Sequence, residues 1–290
     1  MSNVTKKSPL TSMQDIVAAA QALPTQTLVV AMADDPHVLE AVEAARAAGI
    51  IASHLIGDEA AIGRTLETLG FDANNHLIEH VPNAEQACIR AVQAVSETPN
   101  RFLMKGLVDT AVILKAALSK DKGLRGPNRL SHVSVMDIPT YHKLLLMSDG
   151  AMNIAPDVDI KQEIIENSLI IANAIGIDTP KIGVIAAIEK VNPKMTATLD
   201  AQTLIERNRT GMLTGCQVGG PFALDNAIDR DAAQHKGITD PMAGDVDMIL
   251  MPQIESGNVF YKGMMFLAKA KSASIIAGAT HPIVLTSRAD

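Results

Sequence analysis

The last ten residues read HPIVLTSRAD and set a hydroxyl, a guanidinium and a carboxylate, those of Ser287, Arg288 and Asp290, behind a short apolar run. Arginine offers a planar fork of donors matched to phosphate oxygens, and serine adds one short donor. Two readings stand open: an anion grip, or a strand-end serine beside an arginine in a surface ion pair. In ESGNVFYKG (255–263), Asn258 and Lys262 are four apart and share one face if the segment is helical. Lys262 serves equally well there as a solvated helix residue. In VGGPFALDNA (218–227), Gly219, Gly220 and Pro221 suit either a close backbone approach to a ligand or a turn before a helix. MSDGAMNIAPD (147–157) and EKVNPKMTAT (189–198) contribute further Gly, Ser, Thr and Asn, whose donors can cradle an anion.

Other chemistries find little support. The eight histidines form no HExxH motif, and Cys88 and Cys216 lie far apart without CxxC spacing, so no metal site is expected. No GxSxG elbow occurs, and a packed thiol is the expectation for Cys216. MADDPH stands where a dinucleotide-binding domain would carry GxGxxG after its first strand. With 25 basic against 32 acidic residues, the net charge of -7 argues against nucleic acid as the main partner. A few cations gathered in one cleft still suffice for a phosphorylated small molecule. No apolar run approaches a membrane span, the start has no signal-peptide pattern, and two unpaired cysteines fit a reducing compartment, so a cytoplasmic protein is expected.

The elements that must carry these residues alternate. TLVVAMA (27–33), IASHLIG (51–57) and RFLMKG (101–106) read as buried strands, and HVLEAVEAARAAGI and DTAVILKAALSK (109–120) as helices, with Gly49 closing the former. A seam rich in Gly, Pro and Asn falls at GLRGPNRLS (123–131). Beyond it lie strands at 133–138, 143–149, 181–188, 246–252, 274–279 and 282–287, and a helix at 159–177. Such alternation predicts a parallel α/β sheet of βαβ units in two lobes, with ligands beyond the carboxyl ends of the strands. The stretches at 147–157, 189–198, 252–258 and 286–290 each follow a predicted strand.

Several ordered blocks, MKGLVDTA (104–111), SDGAMNIAPD (148–157), AAIEKVNPKMTAT (186–198), GGPFALDNA (219–227), HKGI (235–238), ESGNVFYK (255–262) and LTSRAD (285–290), resemble the phosphate acetyl/butyryl transferase family, its butyryl branch in particular. The resemblance runs from about Thr27 to the last residue. It implies reversible acyl transfer between coenzyme A and inorganic phosphate, with acyl-coenzyme A and phosphate as substrates and neither metal nor redox cofactor. It also implies a two-lobed fold like that of isocitrate and isopropylmalate dehydrogenases, with the active site in an interlobe cleft. Residues 1–128 and 266–290 would form the first lobe and 129–265 the second, with a homodimer built through the second lobe. Arg288 would hold the phosphoryl group, and Ser287 would hydrogen-bond the sulfur or the developing oxyanion. Lys115 stands where acetyl-type members have arginine and would contact phosphate or coenzyme A. Those members also carry a catalytic aspartate several residues past the Ser-Arg pair, whereas Asp290 has a different offset. Two other readings stand beside it: a non-catalytic acyl-coenzyme A or acyl-phosphate binding protein, and a dehydrogenase of the same fold using Asp245 and Asp247 for a metal.

Overall fold

The computed structural model describes residues 8–285. It is a mixed α/β fold with a large sheet, and the chain divides into two compact units. Among the described residues one comprises Val17–Pro127 and 275–285, the other 8–16 and Asn128–Ser274.

Helix α1 (Met13–Gln21) leads into β1 (Gln26–Ala31), α2 (Pro36–Ala47), β2 (Ile51–Gly57), α3 (Glu59–Leu69), β3 (Leu77–His80), α4 (Ala84–Ser96), β4 (Arg101–Lys105) and α5 (Thr110–Ala117). The other unit contributes β5 (Ser131–Asp137), β6 (Leu145–Ser148), α6 (Val158–Ala174), β7 (Lys181–Ile185), α7 (Thr196–Arg209) and β8 (Gln217–Phe222). It continues through α8 (Leu224–Ile228), α9 (Arg230–His235), β9 (Met248–Leu250) and α10 (Ile254–Lys262). Strands β10 (Lys271–Ala277) and β11 (Ile283–Val284) close the described chain.

Helix starts are marked by short polar side chains that satisfy otherwise orphaned N–H groups. Asp35, Asp58, Asn83 and Asp157 cap α2, α3, α4 and α6, each accepting from a backbone N–H in the first turn. Such a cap stabilises a helix by about 1 kcal/mol. Gly49 follows α2 at φ 75°, the left-handed conformation that closes a helix most easily without a Cβ.

In the first unit the strands run β3-β2-β1-β4-β11, all parallel. Leu28, Val30, Leu39, Leu55, Ile62 and Leu66 pack into one of its cores. In the second the order is β5-β6-β9-β7-β8, and a core forms around Met136, Leu145, Ile185, Phe222, Val246 and Ile249. The all-parallel expectation needs correction at two places. β5 runs antiparallel to β6, and β10 antiparallel to β11. Both connections lack a helix, and a parallel crossover needs a dozen residues or more.

Candidate functional site

In the second unit the chain passes from β6 through α6 to β7, outward through α7 to β8, and back to β9 between β6 and β7. The order of strands reverses there. Loops leaving the carboxyl ends of neighbouring strands diverge to opposite faces at such a point and open a crevice suited to a ligand.

The loop after β6 is built around Asp149. Its carboxylate accepts from the backbone N–H of Ala151 at 2.8 Å and Met152 at 2.9 Å, and from Asn153 Nδ2 at 2.7 Å. Asn153 Nδ2 also donates to the Leu130 carbonyl at 2.9 Å, and Ser148 Oγ to the His132 carbonyl at 2.8 Å. The helix after β9, α10, lies close against this loop. A Cβ on Gly257 would stand 2.2 Å from the Asp149 carbonyl oxygen, so only glycine permits the approach. Asn258 Nδ2 then donates to the Gly150 carbonyl at 3.2 Å. Lys262, one turn further along α10, is exposed. The helical segment expected over Asn258 and Lys262 is therefore present, with Asn258 turned to the β6 loop.

Behind β7, Glu189 accepts from Asn226 Nδ2 and from Lys236 Nζ, the latter at 2.9 Å. Lys236 also lies 3.0 Å from Asp225 Oδ2. The Lys236 ammonium holds the Glu189 carboxyl below the ordinary carboxylate range, aided by the Asn226 amide. This cluster joins three segments distant in sequence. Turn composition drew attention to their glycines and prolines, not to these residues. The signal was the presence of Glu189, Asn226 and Lys236 in separate ordered blocks, and sequence alone does not pair them.

Gly219 and Gly220 meet a packing demand. A Cβ on Gly219 would stand 2.3 Å from Met242 Cε, and one on Gly220, where φ is +125°, 2.9 Å from the Val184 carbonyl oxygen. They lie within β8 and not in a turn, and Gly220 and Pro221 line an open pocket with Val191, Arg207 and Met212.

In the first unit, Lys115 projects from α5 into solvent, with Nζ 3.4 Å from Glu85 Oε1. It borders a cavity of about 440 Å³ between α4 and α5, floored by Ile89, Val92, Val112 and Ala116. The carboxyl end of β4 carries a residue passed over in the sequence, Lys105, which is buried and donates to the carbonyls of Gly106 and Val108 at 3.2 Å each. Ser287, Arg288 and Asp290 lie outside the described residues.

Several titratable groups outside this region are engaged with one another. Asp245 pairs with Lys181 at 2.6 Å and His142 at 2.9 Å, and Asp247 with Lys143 at 2.6 Å, so neither is open to a metal. Among the described residues no group of three His, Cys, Asp or Glu is arranged to hold a metal ion. His76 precedes β3 and His80 ends it, so the two, four apart in HLIEH, are spaced along a strand and not on one helical turn. His76 Nδ1 meets Ser53 Oγ at 2.6 Å, while His80 Nδ1 accepts from the Glu59 N–H at 3.2 Å. Burial pushes the thiols of Cys88 and Cys216 up to about 11, so both stay protonated near neutrality. No helix among the described residues is long and apolar enough to cross a membrane.

Comparison with known proteins bears directly on this edge. The family profile of phosphate acetyl/butaryl transferase matches residues 80–290. Phosphate butyryltransferase of Clostridium acetobutylicum is 41% identical over 279 residues, covering 96% of this chain and 93% of that protein. Phosphate acetyltransferase of Thermotoga maritima is 45% identical over 263 residues, covering 91% and 89%. The crystal structure of a branched-chain phosphotransacylase from Enterococcus faecalis V583 matches with a TM-score of 0.82 at 29% identity, over 92% of this chain and 93% of that one. With the profile spanning the loops behind β6, β7, β8 and β9, and full-length relatives on both sides, the chain belongs to the phosphate acetyl/butaryl transferase family.

Proposed function

We propose that this protein is a phosphotransacylase that moves a short acyl group reversibly between coenzyme A and inorganic phosphate, with a butyryl-like group preferred over acetyl. One observation carries the reading: alignment with phosphate butyryltransferases and acetyltransferases along nearly the whole chain, through each loop at the carboxyl edge of the second unit. In the forward direction a phosphate oxygen attacks the thioester carbonyl, a C–O bond forms, the C–S bond breaks, and coenzyme A leaves as thiolate and takes up a proton. Arg288 holds the phosphoryl group, and Ser287 donates to the sulfur or the developing oxyanion. Loss of a donor of the latter kind typically costs about 10²–10³ in rate.

Asn258 and Lys262 orient substrate from α10, Gly219, Gly220 and Pro221 shape the edge beyond β8, and Lys115 meets coenzyme A from α5. Orientation of two reactive substrates supplies much of the acceleration, and neither metal nor redox cofactor enters these steps. The finer expectations travel with the reading and rest on family resemblance. They are an isocitrate dehydrogenase-like arrangement of two lobes sharing a cleft, a homodimer, and a cytoplasmic location.

The test is free-thiol release from butyryl-coenzyme A and acetyl-coenzyme A, with and without inorganic phosphate. Phosphate-dependent release is expected, with the higher kcat/KM for butyryl. One methylene separates such substrates by only ~1–3 kcal/mol, so the ratio must be measured for both. Arg288→Ala should lower kcat and raise the phosphate KM. Coenzyme A binding without phosphate-dependent release would overturn the transferase reading in favour of a binding protein.

A further inference from the structure

Helix α10 is seated firmly on the carboxyl edge of the second unit. Gly257 lies against the Asp149 carbonyl with no room for a Cβ, and Asn258 Nδ2 donates to the Gly150 carbonyl at 3.2 Å. Lys262 follows one turn later and is exposed. Beyond it the helix widens into a single π turn, Gly263–Leu267, a distortion that recurs at functional sites.

Many lysines of this fold are tied to carboxylates. Lys115, Lys143, Lys161, Lys181 and Lys236 each pair with an Asp or Glu. Lys262 makes no hydrogen bond or ion pair among the described residues. No Asp or Glu occurs from 256 to 285, and Glu255, the nearest acid in sequence, is two turns back on α10. Val259, three residues before Lys262, shares its helix face, and Phe266 follows in the π turn; both are exposed. A carboxylate partner holds a lysine in its ammonium form, and only the neutral amine is a nucleophile. Lys262 lacks that restraint among the described residues, and two apolar side chains stand ready for an acyl chain.

We propose that Lys262 is a self-modification site, acylated by the acyl phosphate that the enzyme forms. This rests on the phosphotransacylase reading, in which Lys262 orients substrate from α10. An acyl phosphate is a mixed anhydride. The neutral Lys262 amine attacks its carbonyl carbon, a C–N bond forms, and the C–O bond to phosphorus-bearing oxygen breaks. Inorganic phosphate leaves with the bonding pair, and the proton of the amine passes to water. Holding the anhydride beside the amine turns a bimolecular encounter into a step within one complex, which raises the effective concentration steeply. The resulting amide has lost its charge and no longer attracts an anionic substrate. Accumulated acyl phosphate would thereby silence the enzyme that makes it.

The test incubates wild type with butyryl phosphate in the absence of coenzyme A and maps butyrylated lysines over time by mass spectrometry. Lys262 should react at least about tenfold faster than Lys120, which is exposed in the first unit. Excess inorganic phosphate should slow Lys262 and leave Lys120 unaffected. Butyryl-coenzyme A without phosphate should modify Lys262 more slowly than butyryl phosphate does. Thiol-release activity should fall in step with Lys262 occupancy, whereas Lys262→Arg, which has no amine to acylate there, should keep through the incubation whatever activity it starts with.

Equal rates at Lys262 and Lys120 overturn the proposal, as do equal rates from the two donors or full activity at high Lys262 occupancy. Phosphate-dependent thiol release by untreated wild type is measured in parallel. Its absence removes the parent reading, whereas release together with equal rates at the two lysines removes only the self-acylation.

Discussion

The two ends of β7 and β9 are both polar, yet they are built on opposite plans. At the amino end, Asp245 and Asp247 are surrounded by His142, Lys143, Lys181 and Arg230, and nearly every charge meets its opposite. Tyr141 Oη seals the cluster by donating to the Val246 carbonyl at 2.6 Å. Burial raises the Asp245 carboxyl, but hydrogen bonds from Lys181, His142 and Lys143 outweigh it and hold the group well below the ordinary range. At the carboxyl end, Asp149, Asn153 and Asn258 are spent on the backbone, shaping loops and leaving the basic Lys262 in solvent. The denser cluster of charge is therefore a bolt, and the sparser one has the form of a site. Charge that cancels internally offers a ligand little, whereas a loop shaped by its own hydrogen bonds is preorganised before any ligand arrives.

The sharpest way to break this contrast is to mutate both ends and compare activity with stability. Asn258→Ala and Lys262→Met should each lower kcat/KM for the acyl-transfer reaction by about ten- to hundredfold, with little change in melting temperature for Lys262→Met. Unchanged kcat/KM in both would remove the carboxyl edge of β9 from the site. Asp245→Ala should do the reverse, costing about 2 kcal/mol in urea unfolding by leaving Lys181 and Lys143 short of a partner. Its kcat/KM, measured where the variant is fully folded, should stay within about twofold of wild type.

A smaller effect should come from two histidines of the first unit. Burial lowers both His54 and His76 from 6.5, with Glu79 and Glu43 respectively opposing the shift. The unfolded chain therefore binds more protons just below 6.5, and stability should fall as pH drops through and below that value. Replacing both rings with Gln should flatten that part of the stability curve; an unaltered slope would count against their being neutral in the fold. Smallest of all, the buried thiols should leave native protein nearly inert to an aromatic disulfide reagent at neutral pH, and reactive only once unfolded. Rapid reaction of Cys216 in the native state would reopen its place near the site.

Legibility followed length and periodicity. The sequence predicts β2 at 51–57, where it lies, and the helix expected at 159–177 runs from Val158 to Ala174, because long apolar patterns leave the chain few alternatives. β3 is not legible, since its four residues LIEH form a half-exposed edge strand with no apolar run. GGP normally breaks structure and suggests a turn or a ligand approach, yet in β8 its glycines are what allow Val184 and Met242 to come close. That Asn258 and Lys262 share a helix is legible from their spacing, while the burial of Lys105 and the pairing of Glu189 with Lys236 are not, since nothing local marks a lysine as buried or a glutamate as shared.

Sequence by itself determined the α/β class, the alternation of strand and helix, the capped helix starts, and, through its ordered blocks, the family. Those features are local or cumulative, and each is written in neighbouring residues. Tertiary structure alone decided where strand order reverses, which loops share an edge, and which charges cancel. Asp245 and Lys181 are 64 residues apart, and Asn258 and Gly150 are 108, so no window of sequence contains either pair. Only packing of the sheet brings them within hydrogen-bonding distance, and that distance separates the bolt from the candidate site.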